Sequence, residues 1–320
     1  MQSLETPTPL FRDPIYDGAA DPTILWNRQE QAWWLLYTSR RAIADGPGLS
    51  WCHGTAIGVA SSVDGGQSWL YRGTLQGLDF EPGQNTFWAP EVIWQQGLYH
   101  MYVSYIQGVP GDWSGSRCIV HFTSPTGWQW HFESVLALSS SQVIDACVHQ
   151  MPGGRWRMWY KDEAHQHVTY AAESDDLYRW YVVGPVITDC PHEGPNVFFW
   201  REAYWMITDT WRGLAVYRSA DAETWRRQAT SILGQPGPYT GDAHRAHHAD
   251  VLVVGEQALL FYHVHPAGDD QETQTSLEAL AGDQRRSWLY AAPLTLEGSM
   301  LTCSWKQASL DLPSSRKSLL

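Results

Sequence analysis

The feature that most constrains the fold is a supersecondary unit that occurs five times along the 320-residue chain. Each unit contains a short apolar strand, a tight polar turn and a second apolar strand, as in residues 21–26 and 32–37. An even repeat of such units, with no long helical pattern between them, is typical of a β-propeller, whose blades stack around one channel. The five first strands begin at Asp21, Ala89, Asp145, Glu193 and His248.

A second repeated element is a turn in which serine and aspartate or threonine precede a tryptophan. It occurs at residues 62–69, 124–130, 174–180 and 219–225. The Ser and Asp side chains bond backbone N–H groups and hold the turn, and the tryptophan begins the next strand. The copies are spaced by roughly 45–60 residues, which is the length of a four-stranded propeller blade.

We therefore predict an all-β chain that forms a single five-bladed β-propeller over residues 15–307, with four antiparallel strands per blade. The alternative is a β-sandwich followed by a second β domain, but a sandwich does not explain the even repeat. The predicted blades span residues 21–76, 88–136, 145–187, 193–232 and 248–305, and residues 1–14 and 308–320 are predicted tails.

Composition and charge exclude several functional classes. The net charge is −13, which argues against a nucleic-acid partner and against attraction to a membrane surface. The five cysteines are odd in number and lack a Cys-x-x-Cys spacing, so neither a disulfide framework nor a zinc knuckle is indicated. The chain shows no secretory signal pattern and no apolar run of membrane-spanning length, so a cytoplasmic location is expected.

The propeller prediction brings distant acids together. The first strand of each blade lines the channel, so equivalent positions form a ring, and the aligned strands place Asp21, Asp145, Glu193 and His248 at one mouth. Carboxylates so close repel one another unless they perform chemistry or bind a cation. Glycoside hydrolysis requires such a pair, one protonated for the leaving oxygen and one ionised to activate water. The alternative is that the acids only cap strand starts.

The chain resembles the five-bladed propeller enzymes of glycoside hydrolase family 43 and its clan, which includes arabinofuranosidases and xylosidases. The residues that carry the resemblance are Asp21-Pro22, Trp88-Ala89-Pro90-Glu91, Asp145 and Glu193-Gly194-Pro195. The resemblance implies an exo-acting, inverting glycosidase that removes a terminal arabinofuranosyl, xylosyl or related sugar. It assigns Asp21 as general base, Glu193 as general acid, and Asp145 as the acid that raises the pKa of Glu193. In the related neoagarobiose hydrolases a histidine is the acid, which makes His248 the alternative.

The loops between second and third strands should return to the same mouth. Sugars are bound by aromatic faces and by planar hydrogen-bonding side chains, although each tryptophan can instead pack between blades. The fifth of these loops, about residues 266–286, is long and acidic. The substrate-binding candidates are Trp88, Trp113, Asp162, Trp211, Arg212 and His248.

No cofactor is predicted to be required. The resemblance implies that His248 helps hold a structural channel ion, often Ca²⁺, although hard cations prefer oxygen ligands. The histidine-rich run at residues 244–248 could instead bind a transition metal or be structural. Two other functions stay open: a non-catalytic propeller that binds carbohydrate or protein, and a glycoside phosphorylase with Arg40, Arg41 and Arg212 around a phosphate. The expected partner is an oligosaccharide or glycoside.

Overall fold

The computed structural model describes residues 8–235, 245–266, 280, 282–305 and 310–313. Over these residues the chain forms five four-stranded sheets, each with its strands side by side in chain order. The strands are β1 (Ala19–Asn27), β2 (Ala32–Ser39), β3 (Ala56–Ser62), β4 (Leu70–Thr74), β5 (Thr86–Gln95), β6 (Leu98–Ile106), β7 (Cys118–Ser124), β8 (His131–Val135), β9 (Val143–Gln150), β10 (Trp156–Asp162), β11 (Val168–Ser174), β12 (Tyr181–Ile187), β13 (Glu193–Trp200), β14 (Ala203–Asp209), β15 (Leu214–Ser219), β16 (Arg226–Arg227), β17 (His247–Val254), β18 (Gln257–Val264), β19 (Trp288–Glu297) and β20 (Met300–Cys303).

The five sheets are the blades of a propeller. All strand pairs within a sheet are antiparallel, and the first strands β1, β5, β9, β13 and β17 contact one another in a closed ring around the channel. The predicted five-bladed propeller is therefore confirmed, and the alternative of two consecutive β domains is wrong.

Large aromatic side chains fill the gaps between blades. Trp34 of the first blade lies edge-on to Trp128 of the second blade with ring centroids 4.6 Å apart, and Tyr102 of the second blade contacts Trp180 of the third at 5.5 Å. The repeated turns connect the third and fourth strands of their blades. In the first of them the Ser62 hydroxyl accepts a hydrogen bond from the Gly66 N–H group at 2.8 Å. These turns thus carry tryptophans that pack between neighbouring blades.

Each first strand contains a β-bulge near its beginning, at one mouth of the channel, where one residue adopts a left-handed backbone conformation. The bulges correct the alignment of the five first strands that was made from the sequence. In the fourth blade the residue at the equivalent position is Gly194, and Glu193 lies one residue before it. A Cβ atom on Gly194 would lie 2.9 Å from Nδ1 of His248, so a glycine is required there. The five left-handed residues are Asp21 (φ 49°), Ala89 (45°), Asp145 (60°), Gly194 (56°) and His248 (30°).

Two residues deeper in the channel, a second level of side chains joins each blade to the next. We call Thr23, Glu91, Cys147, Asn196 and Asp250 the inter-blade ring. Its bonds run around the whole channel, so the ring closes the propeller through its inner strands. The five bonds are Thr23 Oγ1 to the Pro90 carbonyl, Val148 N–H to Glu91 Oε1 (2.7 Å), Val197 N–H to Cys147 Sγ (3.1 Å), Asn196 Nδ2 to Asp250 Oδ1 (2.9 Å) and Ile24 N–H to Asp250 Oδ2 (2.8 Å).

The described parts of the two predicted tails pack onto the propeller. The Phe11 carbonyl accepts a hydrogen bond from the Leu289 N–H group, and Asp13 accepts hydrogen bonds from Tyr37 and Ser39. At the other end, the Leu312 N–H group donates to the Gly65 carbonyl of the first blade, and the Trp33 indole donates to the Pro313 carbonyl, both at 2.9 Å. Within the described ranges, no helix is long and apolar enough to cross a membrane. All five cysteines are free thiols.

Candidate active site

The bulges turn side chains from several blades toward one mouth of the channel. His248 Nδ1 lies 3.7 Å from Asp21 Oδ1 and 3.9 Å from Asp145 Oδ2. The Gly194 N–H group donates to Asp145 Oδ2 at 3.1 Å, which places Glu193 beside the same carboxylate. The structure thus brings together Asp21, Asp145, Glu193 and His248.

Asp21 is held by an arginine and a histidine. Arg40 directly follows β2, and its Nη2 atom donates to both carboxylate oxygens of Asp21, at 3.1 and 3.3 Å. The backbone N–H group of Asp21 donates to Nδ1 of the buried His263 at 3.3 Å. These contacts fix the orientation of the carboxylate. Neither Arg40 nor His263 was expected from the sequence to contact Asp21.

At the mouth of the channel, Asp145 is a carboxyl group with a raised pKa. Burial has the largest effect, and the charge of Glu193 adds to it, while His248 opposes both; together they raise the pKa of Asp145 to about 6. The Asp145 N–H group donates to the Ser104 hydroxyl of the neighbouring blade at 2.9 Å, which anchors the bulge.

Glu193 has the opposite electrostatic environment. Burial alone would raise its pKa, but Lys161 outweighs this through its charge and a 2.9 Å hydrogen bond from Nζ to Oε2. With smaller contributions from His248 and the Trp211 indole, the pKa of Glu193 falls to about 2. The expectation that neighbouring acids raise the pKa of Glu193 is therefore wrong, because it left out the lysine. The signal that could have found it is its position at the end of the second strand of the third blade, where the chain returns to the mouth.

Lys161 belongs to a network of four charges, which we call the Lys161 network: Glu193, Lys161, Glu163 and Arg117. The Lys161 ammonium donates to Glu163 Oε1 at 2.9 Å, the same distance as to Glu193. Arg117 Nε lies 2.6 Å from Glu163 Oε2. Lys161 is buried and also lies 5.3 Å from the ring centroid of Trp211. Two cations and two carboxylates thus neutralise one another beside the mouth.

Three of the substrate-binding candidates have surface available for a ligand. Trp113 is 39% exposed, Trp211 is partly exposed and Arg212 is exposed. Trp88 is buried, its indole donates to the Cys52 carbonyl at 2.7 Å, and its ring lies edge-on to Trp113 at 6.2 Å. Trp88 therefore packs against Trp113 inside the protein and is not itself exposed to a ligand.

Asp162, another of the substrate-binding candidates, is buried among polar partners within the protein. Its side chain is fully buried, and its oxygens accept hydrogen bonds from the hydroxyls of Ser139 and Ser140. His165 lies within 2.8 Å of the same carboxylate. These neighbours occupy both oxygens of Asp162 at the end of β10, which disfavours the predicted role of Asp162 in substrate binding.

The residues around His248 do not fit a calcium site. Within residues 8–235 and the other described ranges, no group of three or more His, Cys, Asp or Glu side chains is arranged to hold a metal ion. The nearby Asp21 and Glu193 already pair with Arg40 and Lys161, and two fixed cations repel a third. In the histidine-rich run, His247 Nδ1 lies 3.0 Å from Asp209. Residue 244 and most of the predicted loop at 266–286 lie outside the described residues.

Two of the three arginines of the predicted phosphate pocket are bonded to other groups of the protein. Arg40 is paired with Asp21, and the Arg41 guanidinium donates to the Ser50 carbonyl at 2.6 Å and to the His53 carbonyl at 3.0 Å. Both side chains are committed to the protein, and only Arg212 is exposed. This arrangement disfavours a phosphorylase.

No protein-family model and no curated protein sequence matches this chain. Solved structures do match it over nearly its whole length. They include a thermostable family-43 glycoside hydrolase (TM-score 0.65, 18% identity, covering 93% of this chain and 97% of that one). A GH43 β-1,3-galactosidase with galactodeoxynojirimycin has a TM-score of 0.67 and 14% identity, over 93% and 97% of the two chains.

The GH43_1 enzyme from Xanthomonas citri, complexed with xylotriose, has a TM-score of 0.66 and 16% identity, over 97% of this chain and 95% of that one. These similarities show that the chain has the five-bladed propeller fold of these glycoside hydrolase structures. At such identities they establish the fold, while the chemistry has to be argued from the site.

Proposed function

We propose that the protein is an inverting, exo-acting glycoside hydrolase that removes a terminal arabinofuranosyl, xylosyl or related sugar from an oligosaccharide or glycoside. The observation that carries this proposal is the convergence of Asp21, Asp145 and Glu193, from three different blades, around His248. A structural neighbour complexed with xylotriose and an α-L-arabinanase complexed with arabinohexaose support a carbohydrate substrate.

In the proposed reaction a water molecule attacks the anomeric carbon while Asp21 takes one of its protons. The bond between that carbon and the leaving oxygen breaks, and Glu193 donates a proton to the leaving oxygen. Arg40 fixes the orientation of Asp21, and Asp145 is bonded to the N–H group next to Glu193. An inverting reaction requires the two working carboxyl groups to lie about 6.5–9.5 Å apart, with room for the water.

His248 is the second candidate for the acid. Burial lowers the pKa of His248, but attraction to Asp145, Asp21 and Glu193 outweighs burial and raises it. A charged imidazole between two carboxylates can donate a proton, whereas Glu193 is held ionised by Lys161. The two candidates differ in what their removal does to substrates with different leaving groups.

The activity is tested with aryl glycosides of arabinofuranose, xylose, galactofuranose and galactose. We expect one of them to be hydrolysed, the first product detected by proton NMR to be the inverted anomer, and Asp21→Asn to lose nearly all turnover. Asp175→Asn, which changes an exposed carboxylate on the third blade, is the matched control and should keep full activity. A retained anomer would contradict the role of Asp21. Sugar release that requires phosphate would indicate a phosphorylase, and sugar binding without release a non-catalytic propeller.

A further inference from the structure

A buried lysine lies where the proposed reaction needs a protonated acid. Lys161 is 2% exposed, and its ammonium is 2.9 Å from Glu193 Oε2. An ammonium at hydrogen-bond distance stabilises the ionised carboxylate, but a general acid must hold a proton before it can donate one. The free site therefore holds Glu193 in the form that cannot protonate a leaving group.

The same ammonium has a second carboxylate at the same distance. Glu163 Oε1 lies 2.9 Å from Lys161 Nζ, and Arg117 pairs with the other oxygen of Glu163 at 2.6 Å. Lys161 is thus divided between two carboxylates that compete for it. Moving the ammonium toward Glu163 weakens its hold on Glu193, and removing the charge of Glu163 strengthens it.

We propose that Lys161 is a positioning residue that, through its division between Glu193 and Glu163, decides when Glu193 can carry the proton for the leaving group. The proposal deepens the proposed glycosidase function and rests on it. Lys161 itself does not take part in bond making or breaking. It sets the pH range over which the site is active.

Other charged and polar groups also face Glu193 from the elements packed around it. Asp145 of β9 is negative, while Arg40 after β2, His248 of β17 and His167 after β10 are positive or can become so. The Trp211 indole is an additional hydrogen-bond partner of Glu193. Among the described residues Lys161 is the charged side chain that is hydrogen-bonded to Glu193, and its attraction exceeds that of His248.

The test is the pH dependence of kcat/KM for three variants on a glycoside with a poor leaving group. An opposite charge within about 4–6 Å lowers a carboxyl pKa by roughly 1–3. We therefore expect Lys161→Met to move the alkaline limb upward by about 1–3 pH units. Lys161→Arg keeps the charge and should leave the limb in place. In Glu163→Gln the Lys161 ammonium pairs with the Glu193 carboxylate alone, so the alkaline limb should move to lower pH.

The matched control is Arg155→Met, which removes a cation from an exposed ion pair just before the same strand, and its limb should not move. A limb that stays in place in both folded Lys161→Met and Glu163→Gln would overturn the proposal. If Lys161→Met does not fold, the Lys161→Met/Glu163→Gln double variant removes one charge of each sign, and its limb must lie above that of Glu163→Gln.

A second readout does not depend on turnover. Carboxyl ¹³C NMR, with Glu193→Gln used to assign the signal, follows the titration of Glu193 directly. We expect its midpoint to rise in Lys161→Met and to fall further in Glu163→Gln. If no glycoside is hydrolysed but the midpoint moves, the proposed function fails and the Lys161 coupling stands. If glycosides are hydrolysed and the midpoint does not move, the coupling fails.

Discussion

At the residue scale the site contains three acids in three different environments. Asp21 is fixed by Arg40, Asp145 is buried with its pKa raised to about 6, and Glu193 is paired with Lys161 with its pKa lowered to about 2. Groups whose environments separate their pKa values are what acid–base catalysis requires. In the free site, however, the carboxyl group that is most easily protonated is that of Asp145 and not that of Glu193. The assignment of the general acid therefore has to be tested on both Glu193 and His248.

The leaving group distinguishes the two candidate acids. Glu193→Gln removes the proton donor but keeps the shape and a hydrogen-bond acceptor, so we expect roughly 10²–10⁴-fold lower turnover on glycosides with poor leaving groups. On activated aryl glycosides, which need little protonation, the loss should be much smaller. Steady-state rates on a leaving-group series measure this difference. An equal loss on both kinds of substrate, together with the unequal pattern in His248→Asn, would transfer the acid role to His248.

At the scale of the element, the β-bulge explains how much of the site could be predicted. The repeat itself showed which strands share the channel, and hence that Asp21, Asp145 and His248 meet. The repeat aligned Glu193 with Asp21 and Asp145, although Gly194 is the equivalent residue, because a bulge shifts the register and strand periodicity does not reveal it. The X-Pro pairs Asp21-Pro22, Ala89-Pro90 and Gly194-Pro195 would have given the right alignment. Lys161 was missed because strand order, and no local pattern, brings it to Glu193.

The bulge of the fourth blade gives a testable case. Gly194→Ala puts a side chain at φ 56° and a Cβ atom 2.9 Å from His248 Nδ1, so the histidine must shift. We expect a loss of about 1–3 kcal/mol in the free energy of unfolding from the strained backbone. Turnover should fall by roughly 10²-fold, because a small misplacement of a catalytic group is costly.

Gly153→Ala is the control for that experiment. Gly153 also has a positive φ, of 96°, but a Cβ atom there would meet nothing within 4 Å. It should show a similar loss of stability, measured by denaturant unfolding, with turnover unchanged. Equal loss of turnover in both variants would mean that the Gly194–His248 contact does not position the site.

At the scale of the whole molecule, the blades are joined around the channel as well as through the aromatic side chains between them. The inter-blade ring links every first strand to the next with one polar side chain, and two of its five members are acids. Within the bonds of the ring, neither Glu91 nor Asp250 is paired with a cation. Burial, with the charge of Asp250 adding to it, raises the pKa of Glu91 to about 8. The channel therefore stabilises the propeller fully only while Glu91 keeps its proton.

The pH dependence of unfolding tests this last point. The unfolded chain releases the Glu91 proton near pH 4.3, whereas the folded protein keeps it up to about pH 8. Stability contributed by this group is therefore full below about pH 4 and is lost as the pH rises toward 8. Glu91→Gln keeps an acceptor for the Val148 N–H group and cannot ionise, so its melting temperature should match wild type near pH 4.5. At pH 8 it should be more stable by about 4 kcal/mol, because each pH unit between the two pKa values of Glu91 corresponds to ~1.4 kcal/mol. Glu133→Gln, an exposed change on β8, should show no such trend. A Glu91→Gln variant less stable than wild type at pH 8 would mean that the Glu91 carboxylate is ionised and stabilised inside the channel.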